Sequence, residues 1–305
     1  MGRAPAHTPV LRDEVVEMLC RPGRKALMDC TVGGGGHAEA LLEAADQDAV
    51  LLGLDVDQAS LLEAKENLRR FGSRARLFRA NFSLLPEVLA EASVAAADAI
   101  LADLGLASTQ LDDPGRGFGF AADGPLDMRM DDRLTRTAGD LVNTLGQKEL
   151  ADLIYAYGEE RYSRRIAAAI IVARKAGPIR TTTELARIVA GAMPPAVRRG
   201  RRGVHPATRT FQALRIAVND EMACLDGLLE RLPGCLSAGG RAAIISFHSL
   251  EDRRVKQAFA RLAEQGRARL LTKKPVAPSR QEQDRNPRSR SAKLRGIEMT
   301  STSRQ

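Results

Sequence analysis

A chain of 305 residues that is 44% hydrophobic and 28% charged is long enough for two domains, or for one large α/β domain carrying an insertion, and its composition excludes a disordered or fibrous protein. The 46 Lys and Arg against 38 Asp and Glu leave a net charge of +8, which suits a polyanionic partner, nucleic acid above all. No apolar run approaches the roughly 20 residues that span a bilayer, and the opening MGRAPAHTPVLRDEVV lacks the apolar core of a signal peptide, so a cytoplasmic protein is expected.

From residue 26 the chain alternates short apolar runs with helical patterns: ALMDCTV, HAEALLEAA, AVLLGLDVD, QASLLEAKENLRRFG, ARLFRANF, LLPEVLAEA and DAILADLG. This β-α-β-α-β-α-β rhythm, with strands apolar almost throughout, predicts a doubly wound parallel sheet covered on both faces, which binds its ligand beyond the strands' carboxyl ends. After Gly105 a Gly-rich loop, QLDDPGRGFGFAADGPLDMRMDD, leads to helical segments near 138–158, 159–176 and 182–193, read as an inserted helical lobe. A basic run, RRGRRG, closes the lobe. One long amphipathic helix is then expected from about His205 to Leu232, followed by a fifth buried strand in GGRAAIISFHSLEDR. The tail segments RARLLTKKPV and LRGIEMTS suggest a closing hairpin around a mobile basic loop. The expected organisation is therefore a first core part at 1–109, an inserted substrate-recognition domain at 110–204 and a second core part at 205–305.

The most informative stretch is Asp29-Cys-Thr-Val-Gly-Gly-Gly-Gly-His37. A strand, then glycines, then a helix start brings bare backbone N–H groups against a ligand. Asp55 ends the second strand 20 residues beyond Gly35, where a carboxylate accepts hydrogen bonds from ribose hydroxyls. This spacing alone does not separate NAD from S-adenosylmethionine. Asn81-Phe82 and Asp103 end strands three and four on the same edge, where an adenine and a methionine amine would lie, and this favours S-adenosylmethionine. Core packing is the competing role for Phe82. A carboxylate ending an apolar strand, by contrast, is costly without a partner.

These motifs resemble those of the bacterial 16S rRNA cytosine-N4 methyltransferases of the MraW/RsmH type. HTPVL at His7, GGGGH at Gly33, LDVD at Leu54, DLGLASTQLD at Asp103, DGPLDMRM at Asp123, YGEER at Tyr157, HPATRTFQALRI at His205, SFHSLEDR at Ser246 and NPRSRSAKLR at Asn286 stand in that family's order over nearly the whole chain. The resemblance implies a class I, Rossmann-like methyltransferase sheet with an inserted helical domain. It implies methylation of a cytidine in the decoding region of 16S rRNA within the small ribosomal subunit, with no membrane involved; a homodimer stays open. Matched residue by residue, it implies cofactor contacts at Gly35, Gly36, His37, Asp55, Phe82, Asp103 and Gln110. In one departure, Thr109 stands where the family usually has proline, which frees the loop backbone before Gln110.

The residues also bear on the chemistry. Attack at cytosine C5 needs a cysteine nucleophile on a catalytic loop, whereas Cys20, Cys30, Cys224 and Cys235 read as scattered core thiols without metal or disulfide spacing. Transfer to the exocyclic amine needs only alignment and a proton acceptor, for which Asp103 is the candidate. Phe118, Phe120, Asp127 and Arg129 are candidates to hold a flipped base, with an ordered packing loop as the alternative. His248 is a further candidate, although a lone histidine at a strand end is more often structural. Arg198, Arg199, Arg201 and Arg202, with the basic tail from Lys273 to Arg295, are candidate phosphate contacts. No metal site is expected. The rival functions are an NAD-dependent oxidoreductase and a non-catalytic ribosome-assembly factor that keeps the cofactor pocket.

Overall fold

A computed structural model of the chain describes residues 9–195 and 205–300. The chain folds as two compact units, Met1–Ala107 with Met222–Gln305, and Ser108–Glu221.

The first unit is built on one seven-stranded sheet: β1 Ala26–Asp29, β2 Val50–Asp55, β3 Ala75–Arg79, β4 Ala97–Asp103, β5 Leu236–Ser246, β6 Ala268–Leu270 and β7 Lys293–Met299. The strand order is β3-β2-β1-β4-β5-β7-β6. β1 to β5 pair in parallel, and β7 runs antiparallel to both β5 and β6. The near-continuous apolar strands are explained by two cores, because alternate residues of a strand point to opposite faces. Met28, Leu52, Leu54, Ile100, Ala102, Ala242 and Ile244 join one core. Leu27, Leu51, Ala99, Leu101, Ala243 and Ile245 join the other.

Helices α1 Arg12–Leu19, α2 Gly36–Ala44 and α3 Gln58–Asn67 cover the second of these faces through Val15, Leu19, Leu41, Leu42, Leu61 and Ala64. α4 Leu85–Glu91 covers the other, with the helices Glu221–Cys235 and Ser249–Glu264, through Val88, Leu89, Leu228, Leu232, Val255 and Phe259. The closing hairpin expected in the tail is β6 with β7. The segment between them is not a bare loop: it contains the helix Arg280–Arg285 and a 3₁₀ turn, Pro287–Ser291, whose Ser289 is fully buried. Glu282 of that helix accepts the Leu11 N–H at 2.8 Å, which ties the tail to the start of α1.

The second unit contains α5 Ser108–Asp112, α6 Ala138–Thr144, α7 Gln147–Gly158, α8 Ser163–Arg174, α9 Thr182–Ala192 and the helix Thr208–Asn219. The helical segment expected at 138–158 is two helices, because Leu145 leaves helical geometry and Glu149 caps a new start at the Gly146 N–H, 2.9 Å away. The long helix expected from His205 to Leu232 is also two. Asp220 takes a left-handed conformation, φ 49°, between them, and a residue in that region ends a right-handed helix. Thr208–Asn219 packs in the second unit, with Gln212 Nε2 donating to the Tyr157 carbonyl at 3.0 Å.

Candidate active site

Along the carboxyl edge of the sheet the strand ends follow the order β3, β2, β1, β4, β5. The chain leaving them carries, in turn, Phe82, Asp55, Asp29, Asp103 and the Ser246-Phe247-His248 corner. Three carboxylates thus end three adjacent strands, beside the loop that enters α2.

That loop is held by the strand it faces. Gly33, at φ 51°, donates its N–H to Asp55 Oδ2 at 2.9 Å, and Asp57 donates its N–H to Asp55 Oδ1 at 2.9 Å. Gly35 takes φ 91° at the start of α2, a conformation that costs any residue with a Cβ. Burial pushes the Asp55 carboxyl up to about 6, against the lowering effect of the backbone donors Asp57 and Gly33.

His37 lies in the first turn of α2, 7% exposed, and neither ring nitrogen has a hydrogen-bond partner. Its Nε2 is 3.5 Å from Asp103 Oδ2. Asp103 receives the Gly105 N–H at Oδ1 (3.3 Å) and donates its own N–H to the Thr31 hydroxyl (2.7 Å). Behind them Asp29 is fully buried. Its Oδ1 accepts the Thr31 N–H at 3.1 Å, while Oδ2 has no partner. Burial pushes Asp29 up to about 6; His37 and the Thr31 N–H pull it down, and Asp103 and Asp55 push it further up. Gly105 is bare because a Cβ there would stand 2.8 Å from the Phe247 ring.

Asp29 and Thr31 are not among the residues singled out from the sequence, although the signal that marks Asp103, a carboxylate ending an apolar strand, marks Asp29 equally. Phe82 is half-buried against the first core, in a 3₁₀ turn whose start is capped by Asn81 Oδ1 on the Ser83 N–H at 2.8 Å. His248 caps the helix Ser249–Glu264, and Glu251 Oε2 accepts the Phe247 and His248 N–H groups at 2.8 and 3.2 Å, which is a structural task. Cys30 and Cys235 are buried thiols pushed up by burial, unlike an activated nucleophile.

The remaining candidates lie in the second unit or outside the described residues. Gln110 is buried on α5. Asp127 and Arg129 hold each other in a fork, Oδ1 to Nε at 2.9 Å and Oδ2 to Nη2 at 2.7 Å, and Arg129 Nη1 also reaches the Leu134 carbonyl. Burial alone would raise the Asp127 carboxyl, but the hydrogen bonds from Arg129 overcome it and leave it lowered. Phe118 is buried, and the Phe120 ring centroid is 4.7 Å from those of both His205 and Phe211. Arg198, Arg199, Arg201 and Arg202 lie outside the described residues.

A sheet ordered 3-2-1-4-5-7-6 with an antiparallel seventh strand, and a glycine loop opening beside acidic strand ends, define a class I methyltransferase. The chain belongs to the MraW methylase family, whose model matches residues 4–300. It is 48% identical to a protein of Syntrophobacter fumaroxidans over 97% of each chain. It is 49% identical to one of Geobacter sulfurreducens, covering 96% of this chain and 98% of that one. A third, from a Cyanothece species, is 50% identical over 95% of this chain and 93% of its own. All three relatives carry the name ribosomal RNA small subunit methyltransferase H.

Proposed function

We propose that this chain transfers a methyl group from S-adenosylmethionine to the exocyclic N4 amine of a cytidine in the decoding region of small-subunit rRNA. The observation that carries the reading is the row of Asp55, Asp29 and Asp103 on one sheet edge, with unpartnered buried atoms on Asp29 and His37. When bound, the cofactor supplies a methyl group activated on a positively charged sulfur. An acidic edge suits a cationic ligand with an ammonium and ribose hydroxyls, and opposes the diphosphate of NAD. Asp55 is the ribose ligand, Gly35, Gly36 and His37 line the loop, and Phe82 flanks the adenine. Asp103 accepts a hydrogen bond from the cytosine amine and turns its lone pair toward the methyl group. The named relatives support rRNA of the small subunit as substrate, and the Cys30 thiol beside the glycine loop, buried and pushed up by burial, supports direct transfer over attack at C5.

Small subunits from cells lacking the modification, incubated with the protein and labelled S-adenosylmethionine, are expected to yield N4-methylcytidine on nucleoside mass spectrometry. A C5-methylated nucleoside would overturn the mechanism. Cofactor binding with no transfer would leave an assembly factor. Binding of NAD in place of S-adenosylmethionine would overturn the cofactor.

A further inference from the structure

We infer that His37 is a positioning residue through which the proton from the methylated amine leaves: it holds the Asp103 carboxylate and takes the proton from it. The inference rests on the proposed function and assigns that site its proton exit. Both nitrogens of a 7% exposed imidazole are unpartnered, a costly arrangement unless one of them is used. One of them faces Asp103 at 3.5 Å.

The step balances. The cytosine N4 lone pair forms the N–C bond, and the electron pair of the broken S–C bond stays on sulfur. The methylated amine then carries one surplus proton. It passes to an Asp103 oxygen and on to His37 Nε2, which leaves an imidazolium beside a regenerated carboxylate. The charge is not stranded, because Asp103 on β4 faces it and the buried Asp29 on β1 acts on it electrostatically. Asp55 on β2 and Glu63 on α3 flank the glycine loop. On α2 itself, Glu39 and Glu43 are occupied at the surface by Arg70. The relay requires Nε2 to be free of a proton when the step begins.

Two measurements test the relay. In the cofactor-free protein, the His37 imidazole followed by ¹⁵N NMR is expected to titrate at lower pH in Asp103→Asn than in wild type; an unchanged titration overturns the pairing without reference to activity. His37→Gln is expected to slow single-turnover methylation at saturating cofactor by at least about tenfold. It is also expected to remove the acid limb of the rate–pH profile, with S-adenosylmethionine affinity measured separately because His37 also lines the cofactor loop. Weak cofactor binding with a normal saturated rate would make His37 a cofactor contact only. A uniform fall with the acid limb retained would make it structural. Either result overturns the relay while leaving the proposed function standing. A wild type that methylates no small subunit overturns the function first, and the relay with it.

Discussion

Asp103 and Asp55 are both carboxylates at strand ends, and their surroundings separate their tasks. Asp103 is one-fifth exposed; its Oδ1 accepts the Gly105 N–H and its Oδ2 lies 3.5 Å from His37 Nε2. Asp103→Asn keeps the shape and loses the charge: S-adenosylmethionine affinity is expected to fall by less than about tenfold, and the single-turnover rate by about a hundredfold or more. Separate calorimetry and rapid-quench measurements check this, and a large binding loss with normal chemistry would leave Asp103 a cofactor ligand only. Asp55 already accepts two backbone N–H groups, so Asp55→Ala unties the glycine loop as well as removing a ribose ligand. An affinity loss of about tenfold to a hundredfold is expected, the worth of a charge-assisted hydrogen bond. Ribose hydroxyls favour the ionised carboxylate, and the free carboxyl titrates near 6. Affinity is therefore expected to rise from pH 5 to about pH 7 and then level off, with proton release on binding in acid. Calorimetry in buffers of different ionisation enthalpy measures that release.

Among the elements, the loop of the second unit shows why a Gly-rich sequence need not be loose. Gly117 takes φ 72°, and a Cβ there would fall 2.1 Å from the Pro125 carbonyl oxygen, which is backbone and cannot step aside. The loop is fastened further by the Met128 N–H on the Arg116 carbonyl (3.0 Å) and the Asp127–Arg129 fork. Gly117→Ala is expected to destabilise the second unit by about 1 to 3 kcal/mol or more. Thermal unfolding measures the cost, and an unchanged melting temperature would show that the close approach is not maintained in solution. Asp127 and Arg129, candidates from the sequence either to hold a base or to order a packing loop, bond to each other here. Their pairing was not legible because a DxR spacing is equally compatible with two free side chains.

For the molecule as a whole, buried acid and surface base pull in different directions. Asp29 and Asp55 titrate near 6 in the folded chain against an ordinary 3.8. Between about pH 4 and pH 6 the folded state therefore holds more protons than the unfolded one, and stability falls as pH rises through that window. Urea midpoints of the ligand-free protein are expected to drop from pH 4.5 to pH 6.5, and Asp29→Asn is expected to flatten the trend. An Asp29→Asn variant whose midpoints follow the wild-type trend would show that Asp29 is not perturbed. The net charge of +8 is expected to make RNA association steeply salt-dependent, releasing about 0.7 counterion per phosphate contact on single strands. Replacing Arg198, Arg199, Arg201 and Arg202 with Gln is expected to flatten that slope in filter-binding titrations; an unchanged slope would remove the run from the interface.

The order of strands β1 to β4, the glycine loop and the acidic strand ends Asp55 and Asp103 were legible because each is a local pattern: apolar runs of strand length, bare backbone before a helix, a charge where burial makes charge costly. The same patterns carried the family resemblance. The tertiary structure alone decided which charges are paired. It placed the ring of His37 against Asp103 and left Asp29 buried with one free oxygen, relations between residues far apart in the chain. It made His248 a helix cap and divided two expected helices, at Leu145 and at Asp220. Periodicity reports which face of a segment is buried, but a single left-handed residue or a capping carboxylate interrupts a helix without disturbing that period.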